Sequence, residues 1–270
     1  MPTDAQHTFA IIAYKESPYL ETCIESLKAQ TIASNLILCT ATPSDFLTQV
    51  ARRHDIAMHV NNHHQGIGPD WDFAIACAKT NFVTLAHQDD VYYPLYTETC
   101  LAATDANGNS LITFTDYEEI VGTKTRKYSL NLIIKKLLLH LWFCLRPALS
   151  SHFARKNMLA LGSPLCCPSV MFDRQALQSF KFSRSLKINL DWEAWLELAT
   201  YPGKFTWVRK ILMAHRIHEE SETSHGIRDH VRQQEDIIMF NKIYPAQIAT
   251  IMSRLYSLSC RSNQISRKTK

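Results

Sequence analysis

Phe82-Val83-Thr84-Leu85-Ala86-His87-Gln88-Asp89-Asp90 is the stretch whose reading decides the fold. Its first five residues have the length and composition of a strand, and the strand runs directly into a polar, acidic end. Three further strands precede it. Phe9–Ala13 is a run of β-formers, and Leu36–Cys39 and Ile56–Val60 are two more. Helical patterns alternate with them. Ser17 stands as an N-cap before Pro18, with Glu21 in the first turn and Leu20, Ile24 and Leu27 at helical spacing as far as Gln30. Pro43 and Ser44 open a second helix with Phe46, Leu47, Val50 and Ala51 inward. After the polar loop 61–68, a third starts at Pro69 with Trp71, Ala74, Ile75 and Ala78 as its stripe. Such alternation predicts an α/β fold whose central sheet is mostly parallel and flanked by helices. In sheets of this kind ligands bind beyond the carboxyl ends of the strands, where Asp89 and Asp90 stand.

The second half is less regular. Leu111–Thr115 reads as a strand leading into Asp116-Tyr117-Glu118-Glu119. The apolar stretch 132–145 is interrupted by Lys135, Lys136 and His140 and is too short to span a bilayer. It predicts an amphipathic helix, either packed on the domain or lying on a membrane surface with its lysines at the headgroups. Arg155-Lys156 reads as a basic segment, Pro168–Phe172 as a strand and Asp173 as the cap of a short helix. Asp191–Thr200 reads as a helix carrying Trp192 and Trp195. Phe205–His218 holds one strand or two, Arg228–Lys242 a polar-faced helix, and the chain ends in a basic tail from Arg261.

Length and composition narrow the function. The chain has 270 residues and a net charge of +4, enough for one α/β domain with a helical appendage. A mild positive charge suits an anionic ligand such as a sugar nucleotide, or an anionic membrane surface. The basic tail is short and lacks interleaved aromatics, which argues against nucleic acid as a partner. Eight cysteines without a disulfide-like spacing, and a polar start with no secretory signal, point to a cytoplasmic, reduced protein. Only seven glycines occur, and Gly66-Ile67-Gly68 is no dinucleotide fingerprint.

Three groups carry the candidate chemistry. Adjacent carboxylates such as Asp89 and Asp90 repel unless a cation or hydrogen bonds offset the charge. A hard divalent ion would do this; so would use of the pair as a cap for a helix near Pro94. Asp191 opens a helix and is either a general base held on an acceptor hydroxyl or a plain N-cap. Arg216 and His218 share one face of a strand end, with His215 pointing away. They suit a diphosphate, or form a surface patch paired with Glu219 and Glu220.

In this order the groups resemble the inverting family 2 of GT-A glycosyltransferases. The resemblance rests on Phe9–Glu16 with the Pro18 helix, on Asp72-x-Ala74-Ile75 leading through Phe82–Ala86 to His87-Gln88-Asp89-Asp90, on Leu190-Asp191-Trp192, and on Arg216-Ile217-His218-Glu219-Glu220-Ser221-x-Thr223. Cys167–Phe172 is similar to a segment that lines the acceptor side in relatives. The resemblance implies a GT-A domain over 1–225, with a nucleotide-sugar half (8–118) and an acceptor half (119–225) that carries the inserted helix 131–145, and a helical segment with basic tail over 226–270. It implies that Ala13, Tyr14, Glu16, Asp72, His87, Gln88, Asp89 and Arg216 hold a nucleoside-diphosphate sugar, expected to be a UDP-sugar. It further implies that Asp89, Asp90 and His218 hold Mn²⁺ or Mg²⁺, and that Asp191 is the base. The acceptor implied is a glycan or lipid-linked hydroxyl, with peripheral membrane contact. The sequence departs from the family pattern at His87, at Leu190 and at Thr40–Ser44, where relatives carry acidic residues. A nucleotidyltransferase and a sugar-nucleotide-binding protein without activity are the alternatives.

Overall fold

The computed structural model describes residues 5–63, 66–218 and 231–261. Its first half alternates strand and helix: β1 (His7–Ala13), α1 (Leu20–Lys28), β2 (Asn35–Thr40), α2 (Asp45–His54), β3 (Ala57–Val60), α3 (Ile67–Cys77) and β4 (Phe82–His87). Then come β5 (Val91–Tyr92), α4 (Tyr96–Asn107), β6 (Ser110–Val121), β7 (Lys124–Arg126), α5 (Leu130–Phe143), β8 (Ala148–Leu149) and α6 (His152–Met158). A 3₁₀ turn at Cys167–Ser169 leads into β9 (Val170–Asp173). The rest is α7 (Leu190–Leu198), β10 (Lys204–Ile217), α8 (Val231–Asn241) and α9 (Ala246–Arg261).

All ten strands share one sheet, in the order β3-β2-β1-β4-β9-β6-β10-β5, with β7 beside β6 and β8 beside β10. The β1–β2, β2–β3 and β1–β4 pairs are parallel, as the strand–helix alternation requires. Beyond β4 the sheet is mixed rather than mostly parallel: β9 lies antiparallel to both β4 and β6. A short strand entered from an irregular segment is free to insert in that direction, and nothing in its side-chain pattern reveals it.

Alternation along the strands splits the core into two layers. Phe9, Ile11 and Ala13 of β1 pack with α1, α2 and α4 on one face. Ala10 faces the other side, with Trp71 of α3, Phe143 of α5, Trp192 and Trp195 of α7, and Phe240 of α8. Both α7 tryptophans have 0% exposure, so they are core rather than sugar platforms.

Several local expectations are corrected. Helix α1 starts at Leu20, because Ser17 makes a turn ahead of it: its Oγ accepts the Tyr19 N–H at 3.2 Å and its carbonyl accepts the Leu20 N–H. Helix α3 starts at Ile67, with Pro69 in a first turn that needs no amide donor. There Gly68 lets the Ser183 carbonyl approach to where an added Cβ would lie 2.0 Å from its oxygen. Strand β6 continues through Asp116-Tyr117-Glu118-Glu119. Asp173 caps a turn, accepting the Gln175 and Ala176 N–H groups. Arg155 is fully buried in α6, its guanidinium 5.3 Å from the Phe205 ring centroid and donating to the Tyr201 carbonyl at 2.8 Å.

Candidate active site

The carboxyl ends of β1 and β4 lie side by side, with Ile12 opposite His87. One side chain locks them. Gln88 donates to the Tyr14 carbonyl at 2.9 Å and accepts the Tyr14 N–H at 3.3 Å. The chain turns away at Lys15 in a left-handed conformation (φ 56°), and the Lys15 N–H meets Thr42 Oγ1 at 2.7 Å. Ala13 is buried, while Tyr14 and Glu16 are exposed at this rim.

The opposite wall is set by register. Strand β10 runs antiparallel to β5, with Met213 against Tyr92 and Ala214 against Val91. Continued by two residues, this pairing puts His215 beside Asp90 and Arg216 beside Asp89. The contacts follow: Asp90 Oδ1 accepts from His215 Nδ1 at 3.0 Å and from the Arg216 N–H at 2.9 Å. Arg216 Nε donates to the Asp89 carbonyl at 2.9 Å, and Asp89 Oδ2 lies 2.7 Å from His218 Nε2. Arg216 and His218 do share a face, against the Tyr19 ring at 4.1 and 5.6 Å from its centroid. His215 faces away from them as strand alternation requires, yet it still reaches the acidic pair, because adjacent carboxylates on a turn fan to both sides. Glu219, Glu220, Ser221 and Thr223 lie outside the described residues.

Charge is concentrated here. Burial alone would lower the His215 pKa, but the Asp90 charge and hydrogen bond outweigh it and raise it to about 9. For Asp89, burial works upward and is overcome by the His218 hydrogen bond and by the fields of His87, His215 and His218, so its pKa ends below the usual carboxylate range. Burial lowers the pKa of His87, whose ring leans on Trp71 at 5.4 Å.

Two atoms at this point have no hydrogen-bond partner: Asp90 Oδ2 and His87 Nε2, both buried. Buried polar atoms are rarely left so. One ligand atom each from His87, Asp89 and Asp90 falls within a mutual 4.8 Å, a donor set that fits a divalent cation. The set differs from the expected Asp89, Asp90 and His218. His87 stands in the group, and His218 is hydrogen-bonded to Asp89.

Asp191 sits in the first turn of α7, where its Oδ1 accepts the Trp192 N–H at 2.7 Å, and Asn189 is the N-cap. Desolvation raises its pKa, against the Lys135 charge and the backbone bond, which lower it. Burial lifts both the Cys166 and Cys167 thiols well above their usual range, and the charges of Asp90 and Asp191 each push both of them further. The cysteine pair therefore stands within the field of both carboxylates. Tyr92 fixes it there by donating to the Pro168 carbonyl at 2.7 Å. Lys135 also enters this space from α5. Its Nζ donates to Tyr117 Oη at 3.0 Å, and its charge acts on both Asp191 and His215.

The residues 1–225 alone do not hold Asp191 in place. Glu235 of α8 accepts the N–H groups of Lys187, Ile188 and Asn189, each at 2.8 Å, and Asp236 accepts from Asn189 Nδ2 at 2.7 Å. Both acids are buried. They anchor the strap that leads into α7.

The sequence profile described as glycosyl transferase family 2 matches residues 8–179. The chain belongs to this family. Solved structures agree on the fold. TarS of S. aureus with UDP-GlcNAc superposes with a TM-score of 0.60 at 13% identity, covering 98% of this chain and 76% of that one. The mannosyltransferase PcManGT of Pyrobaculum calidifontis, with GDP-Man and Mn2+, gives 0.61 at 12%, covering 97% and 77%. No curated protein matches the sequence. Within the family 2 frame, the structure brings Ala13, Tyr14, Glu16, His87, Gln88, Asp89, Asp90, Arg216 and His218 to one rim. Asp72 stands next to Trp71, whose ring meets His87. The Asp72 carboxylate accepts the Phe182 N–H at 3.1 Å and faces Lys181 and Arg184, with burial raising its pKa. The sequence reading missed Lys135, Tyr117, Glu235 and the reach of His215. A lysine in an apolar helix was the one visible signal.

Proposed function

We propose that this family 2 glycosyltransferase moves a sugar, with inversion, from a nucleoside diphosphate to an acceptor hydroxyl. The observation that carries this reading is the pair of unpartnered buried atoms on His87 and Asp90 beside Asp89, with the Cys166–Cys167 pair standing in the field of both Asp90 and the desolvated carboxylate of Asp191. The division into a nucleotide-sugar half, 8–118, and an acceptor half, 119–225, is part of the reading. The complexes of TarS with UDP-GlcNAc and of PcManGT with GDP-Man support a nucleotide-sugar donor, and we take a UDP-sugar as the donor.

Asp191 accepts the proton of the acceptor hydroxyl on one face of the sugar. The freed oxygen forms its bond to the anomeric carbon while the bond to the diphosphate oxygen breaks, and that electron pair leaves with the nucleoside diphosphate. Arg216 and the imidazolium of His215 supply positive charge on the departing side. His87, Asp89 and Asp90 would hold Mn²⁺ or Mg²⁺, which when bound offsets the charge on the diphosphate. His218 orients Asp89 through its hydrogen bond. The Tyr14–Gln88 lock holds the rim on which the nucleoside rests. The acceptor is a glycan or lipid-linked hydroxyl of a surface polysaccharide. The seven described cysteines are all free, which fits a cytoplasmic setting.

A thermal-shift screen of nucleoside-diphosphate sugars, with and without Mn²⁺, tests the reading. One nucleotide class should raise Tm, and more so with the ion. Release of pyrophosphate from a nucleoside triphosphate would instead favour a nucleotidyltransferase.

A further inference from the structure

Helix α5 is mostly apolar, and apolar helix faces are normally covered. Here only one side is covered. Leu132, Leu139 and Phe143 are buried, and Lys135 turns inward to Tyr117 rather than outward to a headgroup. The outward stripe is bare: Leu130 is 60% exposed, Leu137 63%, Leu141 66% and Leu145 93%. Phe153 of α6, 71% exposed, extends it through its ring contact with Trp142. A groove of about 200 Å³ runs beside α5, between Ile134 and Leu138 on one wall and Met252 and Leu255 of α9 on the other.

The charge of the segment that carries this stripe is of one sign. Between Glu119 and Asp173 the chain has eight lysines and arginines and no acidic residue, although the whole chain is only +4; Lys135 and Arg155 turn inward and Lys136 pairs with Asp116, which leaves the basic residues at the ends of the stripe to face outward. Arg126 and Lys127 are exposed just before α5, and Arg146 just after it. Arg209 donates to the carbonyls of Cys144 and Arg146, adding its charge at the same end.

We infer that the outward face of α5 docks on an anionic lipid surface, its leucines entering the acyl boundary and the flanking basic residues meeting the headgroups. The combination of a bare leucine stripe, exposed basic ends and no acidic residue in the segment is the one an anionic bilayer complements. A second copy of the chain would bring the same basic ends into repulsion. Lys135, on the opposite side of α5, reaches from the docked helix into the space of Asp191, so the inference rests on the transferase reading and deepens it by naming the surface at which a lipid-linked acceptor arrives.

The test is flotation of the full chain with vesicles and uses no donor, so it stands apart from the transferase assay. Vesicles of phosphatidylglycerol and phosphatidylcholine should bind about tenfold more tightly than phosphatidylcholine alone, with affinity falling steeply in high salt. Leu137→Asp with Leu141→Asp should lose about tenfold in vesicle affinity at unchanged Tm, and Lys127→Glu with Arg146→Glu should lose the preference for anionic lipid. Equal binding by wild type and the leucine variant, no binding by wild type, or equal affinity for neutral and anionic vesicles overturns the inference. So does a dimer that the leucine variant dissolves while vesicles are ignored.

Discussion

Acidification should destabilise this protein through His7. The ring is fully buried at the start of β1, with Nδ1 2.9 Å from Ser34 Oγ and Nε2 3.0 Å from Thr84 Oγ1. Burial lowers its pKa to about 3. The unfolded chain returns it to about 6.5. The folded state therefore stays neutral while the unfolded state takes up a proton as pH falls below about 6.5. The stabilisation is present above that value and is lost on the way down toward pH 3. Between pH 7.5 and 5.0 the loss from this one group is about 2 kcal/mol. With a urea slope of about 3 kcal/mol/M, the midpoint should fall by about 0.7 M. Urea unfolding at both pH values, for wild type and His7→Gln, isolates the effect. The variant is less stable at pH 7.5, but its acid loss is smaller by about the same 2 kcal/mol. An equal acid loss in both proteins would refute the reasoning.

Three further outcomes follow from the site. Lys135→Met removes a charge that lowers the Asp191 pKa, so the acid limb of the kcat–pH profile should move to higher pH; an unmoved limb would detach Lys135 from the base. Glu235→Gln weakens the anchor on the strap before α7, and should lower kcat by about tenfold with donor Kd unchanged, at a cost of about 1–2 kcal/mol in stability. Gly68→Ala gains roughly 1 kcal/mol of helix propensity but drives a methyl into the Ser183 carbonyl, costing about 2–3 kcal/mol; a lower Tm should result.

The first half of the fold was legible because each of its elements obeys one period. Leu47, Val50 and Ala51 recur at helical spacing, and Ser44 caps their helix by accepting the Leu47 N–H at 3.2 Å. The second half hides its rules in long-range pairings. Strand β5 is two residues long, too short to show alternation, yet its pairing with β10 is what delivers His215 to Asp90. Strand β9 reads as apolar in either direction. Glu235 and Asp236 look like the polar face of α8 until the 187–189 strap is seen against them. Asp72 is similar. Its place in a motif suggests a nucleotide contact, and its hydrogen bond to the Phe182 amide, 110 residues on, is not visible in the sequence.

Single-turnover kinetics of Asp191→Asn, with its donor affinity measured in parallel, weigh most on whether the two carboxylate groups flank one reaction. Asparagine keeps the side-chain oxygen that accepts the Trp192 amide but takes no proton. Donor should bind with its wild-type Kd while sugar transfer falls by about 10²–10⁴-fold. Transfer at the wild-type rate by a variant that binds donor normally would contradict the account.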